Sequence, residues 1–131
     1  MRAIEYDEPG TIEYGDGSTS GASLRVATGF RERFLGLMGQ RQVPAGSLMT
    51  FPRCSSIHMF WMRVPIDVLW LARPEEGGRA RVLAVTHWLA PGRLDFGPSR
   101  TWGCCEARAG SFDERVPTWV ESASLARWAG R

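Results

Sequence analysis

The chain contains no lysine and no asparagine, and all 16 of its basic residues are arginine. Without lysine there is no lysine Schiff base and no P-loop lysine to reach a phosphate. The bland source of this bias is GC-rich codon usage. Arginine selected for carboxylate or phosphate forks would show as clustering, and the arginines are scattered. Net charge is only +2. With no basic stripe either, nucleic acid is not an expected partner. No run approaches about 18 apolar residues, so no membrane-spanning helix is expected. Residues 1–10 lack an apolar h-region, so no secretory signal is expected. Cysteine is scarce and odd in number, at 3. Cys104 and Cys105 are adjacent, a poor geometry for a mutual disulfide. Reduced thiols and a cytoplasmic location are the resulting expectation. The H-E-x-x-H, G-x-S-x-G and C-x-x-C patterns are also missing, which removes the commonest signatures of zinc proteases, serine hydrolases and dithiol oxidoreductases.

What is present reads as one domain over residues 1–131, a length that supports one real core. Residues 1–21 form a polar, Gly-rich N-terminal segment, with a short strand near Ala3–Tyr6 and a mobile turn at Gly15–Gly21. Strands are predicted at Leu24–Ala27, Ser47–Phe51, Ser56–Arg63, Ile66–Ala72, Arg79–Trp88 and Trp102–Arg108. The 56–63 alternation sets Ile57, Met59 and Trp61 against His58, Phe60 and Met62. A short helix is predicted at Phe30–Met38, with Phe30, Phe34, Leu37 and Met38 on one arc, ended by Gly39. Thr118-Trp-Val-Glu121 has the form of a capping box, which predicts a second helix over Trp119–Ala129 with Gly130 as its C-terminal cap. The fold class is a β-rich α+β domain: a small curled or barrel-like, mainly antiparallel sheet with one internal and one C-terminal helix.

The densest stretch is 51–71, where a His, two Arg and an Asp interrupt apolar strands. Ionisable groups there must pair with each other or serve a ligand. Asp67 is expected to be structural, either the partner of Arg33 or an acceptor for loop N–H groups. His58 is either a satisfied histidine or a proton carrier. Arg63 ends its strand as a solvated residue or an anion contact. Together Arg33, His58, Trp61, Arg63 and Asp67 are the candidate binding residues. Met38, Met59, Phe60, Trp61 and Met62 could line an adaptable apolar pocket. A zinc site from Cys54, His58, His87, Cys104 and Cys105 matches no standard ligand spacing. Cys104 and Cys105 should point to opposite faces of one strand, so no metal and no cofactor is expected.

Three boxes, in order, carry a family resemblance. Arg33-Phe-Leu-Gly-Leu-Met38 resembles R-x-x-G-L-M. Phe60-Trp-Met62 with Pro65-Ile-Asp67 resembles F-W-M…P-[IL]-D. Cys104-Cys-Glu-Ala-Arg-Ala-Gly110 resembles V-L-E-x-x-A-G. Over residues 22–110 the chain thus resembles the prokaryotic family called domain of unknown function 192. The resemblance implies a compact, barrel-like α+β domain with no established activity. The family pattern ends with a Gly-Asp pair leading a last strand. Here residues 111–131 carry the capping box instead, which leaves the C-terminal edge of the sheet open.

Three functions compete on these residues. The first is a non-enzymatic domain that binds a small polar ligand, such as a sugar or a carboxylate-bearing metabolite, or that is purely structural. The second is a hydrolase-like enzyme with Asp67 or Glu106 as base and His58 and an Arg as stabilisers. The third is a protein-interaction module acting through the C-terminal helix. Oligomeric state is not legible.

Overall fold

The computed structural model describes residues 3–129. The expected Gly130 cap and the Phe30 and Phe34 side chains lie outside the described residues. Nine strands run in the order β1 (Glu8–Tyr14), β2 (Thr19–Val26), β3 (Ser47–Phe51), β4 (Ser56–His58), β5 (Ile66–Leu71), β6 (Arg79–Leu89), β7 (Leu94–Phe96), β8 (Gly103–Arg108) and β9 (Pro117–Glu121). One helix, α1 (Phe30–Leu35), lies between β2 and β3, and a 3-10 segment, Ala123–Trp128, follows β9. Seven strands close a barrel in the order β1-β2-β3-β8-β5-β6-β9, while β4 and β7 pair as a separate two-stranded sheet. Among the described strands only β2 and β3 pair in parallel. Parallel neighbours need a crossover connection, and α1 sits in it. Among the described residues no helix is long and apolar enough to cross a membrane.

The two-residue period of a strand divides the core into two clusters. Ile12, Leu24, Leu48, Leu69, Ala80, Cys105 and Val120 come from all seven barrel strands and pack together. That cluster is the barrel lumen. The intervening positions Met49, Phe51, Val68, Trp70 and Cys104 join Leu37, Val43, Ile57 and Met59 in a second cluster. This cluster is the outer face of β3, β8 and β5, covered by the chain after α1 and by β4. A strand buried on both faces reads as a continuous apolar run, and every residue of β5 and of β3 is buried.

Several sequence expectations are corrected. Residues 3–7 form no regular structure, and the first strand is β1. The turn after β1 is shorter than Gly15–Gly21, with Asp16 accepting from the Ser18 N–H (2.9 Å), and β2 starts at Thr19. Helix α1 stops at Leu35 because Gly36 takes a positive φ of 46°, a region open to glycine at little cost. Only Ser56–His58 of the predicted 56–63 strand pairs, with β7. The alternation breaks at Trp61, which has φ 61° and is 74% exposed.

The C-terminus differs most. Thr118 does not cap a helix but donates to the Glu13 carbonyl (3.1 Å). Residues Pro117–Glu121 form β9, paired with both β1 and β6. Barrel closure satisfies this backbone on both sides and puts Val120 in the lumen, a tertiary gain that overrides a weak local helix preference. The cap shifts to Ser122, whose side chain accepts from the Ser124 N–H (3.4 Å). Only the short 3-10 segment remains helical. The long helix that a partner-docking role required is not formed, and Val120 and Leu125 are spent on the lumen.

Candidate functional site

The three sequence boxes meet at one cleft on the covered outer face. It has a volume of about 90 Å³ and is walled by the end of α1 and its turn (Arg33, Leu35–Met38), by Phe51 and Cys54 after β3, by β4 (Ser56–His58), by Phe60 and Met62, and by Glu106 of β8. Gly36 makes the convergence sterically feasible. A Cβ there would stand 3.0 Å from the Phe51 ring and 3.9 Å from Glu106 Oε1. The bare backbone therefore lets the chain cross above the carboxyl. Arg33 anchors the helix end to the β3–β4 bend, donating to the Pro52 carbonyl and, at 3.4 Å, to the Arg53 carbonyl. Leu37, Met38, Phe51 and Met62 give the cleft an apolar floor.

Two polar groups of this cleft are electrostatically displaced. Glu106 is buried and accepts no hydrogen bond from any described residue. Burial pushes its carboxyl up to about 8, and the nearby Cys54 adds to the effect. Cys54 is drawn down to about 6. The largest cause is the Cys104 thiol hydrogen-bonded to its sulfur. Burial opposes this, while a Ser56 backbone contact and the Arg33 guanidinium assist. The Cys54 sulfur also lies 3.1 Å from the Ser56 carbonyl, to which it donates when protonated. Cys104, fully buried behind it, is pushed well above the ordinary thiol range. Cys105 faces the lumen against Thr50 Oγ1 (3.2 Å), and desolvation pushes it up to about 12. The cleft thus displaces the two groups in opposite directions, the Cys54 thiol toward its thiolate and the Glu106 carboxyl toward its protonated form. This reverses the usual order of the two groups.

Of the candidate binding residues, Arg33 and His58 line the cleft. The His58 ring is exposed and stacks on Phe60 (5.2 Å, 26°). Phe60 meets Trp61 edge-on (6.1 Å), which leaves Trp61 outside the rim. Arg63 and Asp67 are not in the cleft wall. Met38, Phe60 and Met62 line it, whereas Met59 is core. Cys54 entered the sequence reading only as a metal ligand and Glu106 only as an alternative base. The one signal for Glu106 was the acidic position of the third box.

Asp67 occupies a second polar region, at one mouth of the barrel. It is fully buried and accepts from two backbone amides, Trp88 N–H on Oδ1 (2.9 Å) and Phe112 N–H on Oδ2 (3.3 Å). Its partners are therefore not Arg33 but two backbone amides, one near the end of β6 and one in the loop after β8. Beside it the Trp88 indole N–H donates to Asp113 (3.2 and 3.3 Å), and His87 Nδ1 stands 3.9 Å from Asp113 Oδ1. Donor atoms of Asp67, His87 and Asp113 lie within 4.8 Å of one another. Both Asp67 oxygens already serve the backbone, so this is an anchor. The residues weighed for zinc in the sequence are dispersed, His87 to this mouth and Cys105 to the lumen.

The sequence profile of the family described as "DUF192: Uncharacterized ACR" matches residues 12–116. The match extends the resemblance at both ends, taking in the end of β1 and the loop that carries Phe112 and Asp113. No curated protein matches the chain. Two crystal structures resemble it in fold. One, from Sinorhizobium meliloti 1021, is provisionally described as a transcription regulator; it is 21% identical with a TM-score of 0.74, covering 93% of this chain and 98% of that one. The other, a protein of unknown function from Novosphingobium aromaticivorans DSM 12444, is 18% identical with a TM-score of 0.70, covering 86% of this chain and 83% of that one. At these identities the likeness establishes the barrel and nothing about its use.

Proposed function

The chain belongs to the DUF192 family, and on that premise we propose that its barrel is a binding domain for a small molecule taken in the cleft between α1, β4 and β8. The observation that carries this reading is Glu106: a buried carboxyl, turned to a cleft, with no hydrogen-bond partner among the described residues. Desolvation favours the protonated form of such a group, which can then donate into the cleft. A ligand oxygen arriving beside it would accept its proton, while Leu37, Met38, Phe51 and Met62 cover an apolar edge. Arg33 and His58 at the rim suit a carboxylate or a hydroxyl-rich head. A volume of about 90 Å³ is well below that of drug-sized pockets, which selects a metabolite fragment rather than a polymer.

A thermal-shift panel of sugars, nucleotides and carboxylate metabolites tests this. A ligand present at about 100 times its dissociation constant adds roughly 2.7 kcal/mol of stability. One chemical class should raise the melting temperature of the native chain and lose that effect in Glu106→Gln. A flat response from folded protein across the whole panel would end the reading.

The hydrolase alternative is favoured by one fact only: Cys54, His58, Glu106 and Arg33 share the cleft wall. Glu106 then takes the role of base that Asp67, tied to two amides, cannot. Turnover of a small ester or amide by the native chain, lost in a folded Glu106→Gln variant, would select it over simple binding.

A further inference from the structure

We propose that Cys54 and Cys104 form a peroxide-reactive dithiol, with Cys54 the attacking sulfur and Cys104 the resolving one. The proposal uses the cleft but does not depend on its binding a metabolite. The geometry of the three thiols singles out this pair. Cys54 is half-buried on the cleft wall, while Cys104 and Cys105 are fully buried on β8. Successive residues of a strand face opposite ways. Cys105 joins the lumen cluster, whereas Cys104 and Cys54 belong to the outer-face cluster. The backbone holds the pair in place. Cys54 N–H donates to the Trp102 carbonyl (2.9 Å), and Phe51 stands opposite Cys104 in the β3–β8 ladder. Cys54 and Cys104 thus share one apolar cluster on the outer face, close enough for the two sulfurs to influence each other electrostatically. Linking them means bringing the sulfurs to about 2.05 Å, and Cys105, on the opposite face, cannot compete for the bond.

The cleft also supplies what the first step needs. A thiolate is the reactive form of cysteine, and Arg33 lies near enough to favour it. Glu106 stands in the same wall as the proton source. The Cys54 thiolate attacks one oxygen of a hydroperoxide and the O–O bond breaks. Cys54 becomes a sulfenic acid. The leaving hydroxide takes the Glu106 proton and departs as water; an alkyl hydroperoxide would leave as an alcohol. The Cys104 sulfur then attacks the Cys54 sulfur. The S–S bond forms, the S–O bond breaks, and the hydroxyl leaves as a second water with the Cys104 proton. Two thiol sulfurs are oxidised, one peroxide is reduced, and Glu106 regains its proton from solvent. Condensation of a sulfenic acid with a neighbouring thiol is the ordinary reversible branch of cysteine oxidation.

The test is hydrogen peroxide added to the purified full chain, followed by alkylation of free thiols and peptide mapping by mass spectrometry. The expected product has lost two hydrogen atoms, carries a Cys54–Cys104 link and retains one alkylatable thiol, Cys105. In Cys104→Ser, Cys54 should stop at the sulfenic acid and be trapped by dimedone. In Cys54→Ser, no peroxide should be consumed. If Cys104→Ser does not fold, the wild-type map decides alone. Three free thiols after excess peroxide on folded protein, a link between separate chains, or direct passage of Cys54 to the sulfinic acid would each overturn the proposal. None of these outcomes bears on the thermal-shift panel, so the two readings fail separately.

Discussion

Asp67 on β5 and Glu106 on β8 are buried carboxyls one register step apart, since Asp67 stands opposite Ala107 and Glu106 opposite Val68. They leave opposite faces of the same sheet, Asp67 with the parity of lumen residues Leu69 and Leu71, Glu106 with that of Cys104 on the outer face. Burial alone therefore does not distinguish them. Partners do. Asp67 receives two backbone amides and locks the end of β6 and the Phe112 loop onto the barrel. Glu106 receives none from the described residues, and desolvation pushes it up to about 8. A satisfied buried carboxylate is a structural rivet. An unsatisfied one, facing a cleft, is a group waiting for a ligand or a proton transfer.

The largest expected effect comes from removing the rivet. Asp67→Ala strands two N–H groups, at Trp88 and Phe112. Stranding buried donors should cost about 2–5 kcal/mol, measured by urea unfolding at neutral pH. A near-neutral result would mean that the mouth relaxes or hydrates, and the contrast with Glu106 would collapse. Asp67→Asn, which keeps one acceptor, should cost less.

The next effect sets the cleft pair in a pH profile. Glu106 is raised to about 8 from 4.5. Its contribution is fully present below pH 4.5 and is lost as pH rises toward 8, by up to roughly 1.4 kcal/mol per unit. Cys54 is lowered to about 6 from 9.0. Its contribution has the opposite sign: it is present above pH 9 and is lost as pH falls toward 6. Between pH 6 and 8 the two slopes oppose each other. Native stability should therefore fall from about pH 4.5 to 6, level off, and recover above 8. Glu106→Gln should abolish the fall and gain about 1–2 kcal/mol at pH 8. Cys54→Ser should abolish the recovery and extend the fall. Superimposable profiles for native and Glu106→Gln chains would show that Glu106 ionises as readily as an exposed carboxylate, and would remove the cleft's distinguishing feature.

The sequence made the rivet more legible than the cleft, and the reason is physical. A lone aspartate in Ile66–Leu71 conflicts with its apolar neighbours, so it draws notice without any structure. Its alternative reading as an acceptor for loop N–H groups describes half of what it does, since one amide comes from the loop at Phe112 and the other from β6 at Trp88. Glu106 sits beside two cysteines and before Ala107, and nothing in one strand says which face turns to a lid. That face is decided by α1, Gly36 and β4, which come from segments far away in sequence. The same distance explains the errors. The strand stops at His58 and Trp61 takes a positive φ in the turn that follows, which no local pattern demands of a tryptophan. Residues 117–121 obey the barrel seam rather than their capping box, because closure supplies two rows of hydrogen bonds and a helix supplies one. What propensity and alternation did capture was β3, β5 and β8, where burial dictates both faces, together with the half-exposed β6.

Gly36 sharpens the comparison from the backbone side. Its φ of 46° and the 3.0 Å approach of a Cβ to Phe51 predict that Gly36→Ala costs about 1–2 kcal/mol. The readout that matters is the Glu106 titration rather than the cost itself. Lifting the turn off the carboxyl admits water, so the midpoint of the Glu106-dependent stability loss should move down toward 4.5. An unchanged midpoint with a lower overall stability would mean that the turn holds the fold but does not set the environment of Glu106.

The smallest effect is expected at His58, and its smallness is informative. The ring is exposed and stacked on another exposed ring, Phe60. Surface substitutions away from caps, cores and buried partners stay within about 0.5 kcal/mol, so His58→Ala should leave urea unfolding almost unchanged. Asp67→Ala must cost the fold several times as much. If His58 belongs to the site, its loss should appear only in the ligand-induced thermal shift, as a smaller upward displacement at the same unfolding midpoint of the free chain. If both the free midpoint and the ligand shift stay unchanged, the rim of the cleft passes to Arg33 alone. If the free midpoint drops by more than 1 kcal/mol equivalent, the β4–β7 sheet leans on the His58–Phe60 stack, and the division between a rigid mouth and a permissive cleft has been drawn too sharply.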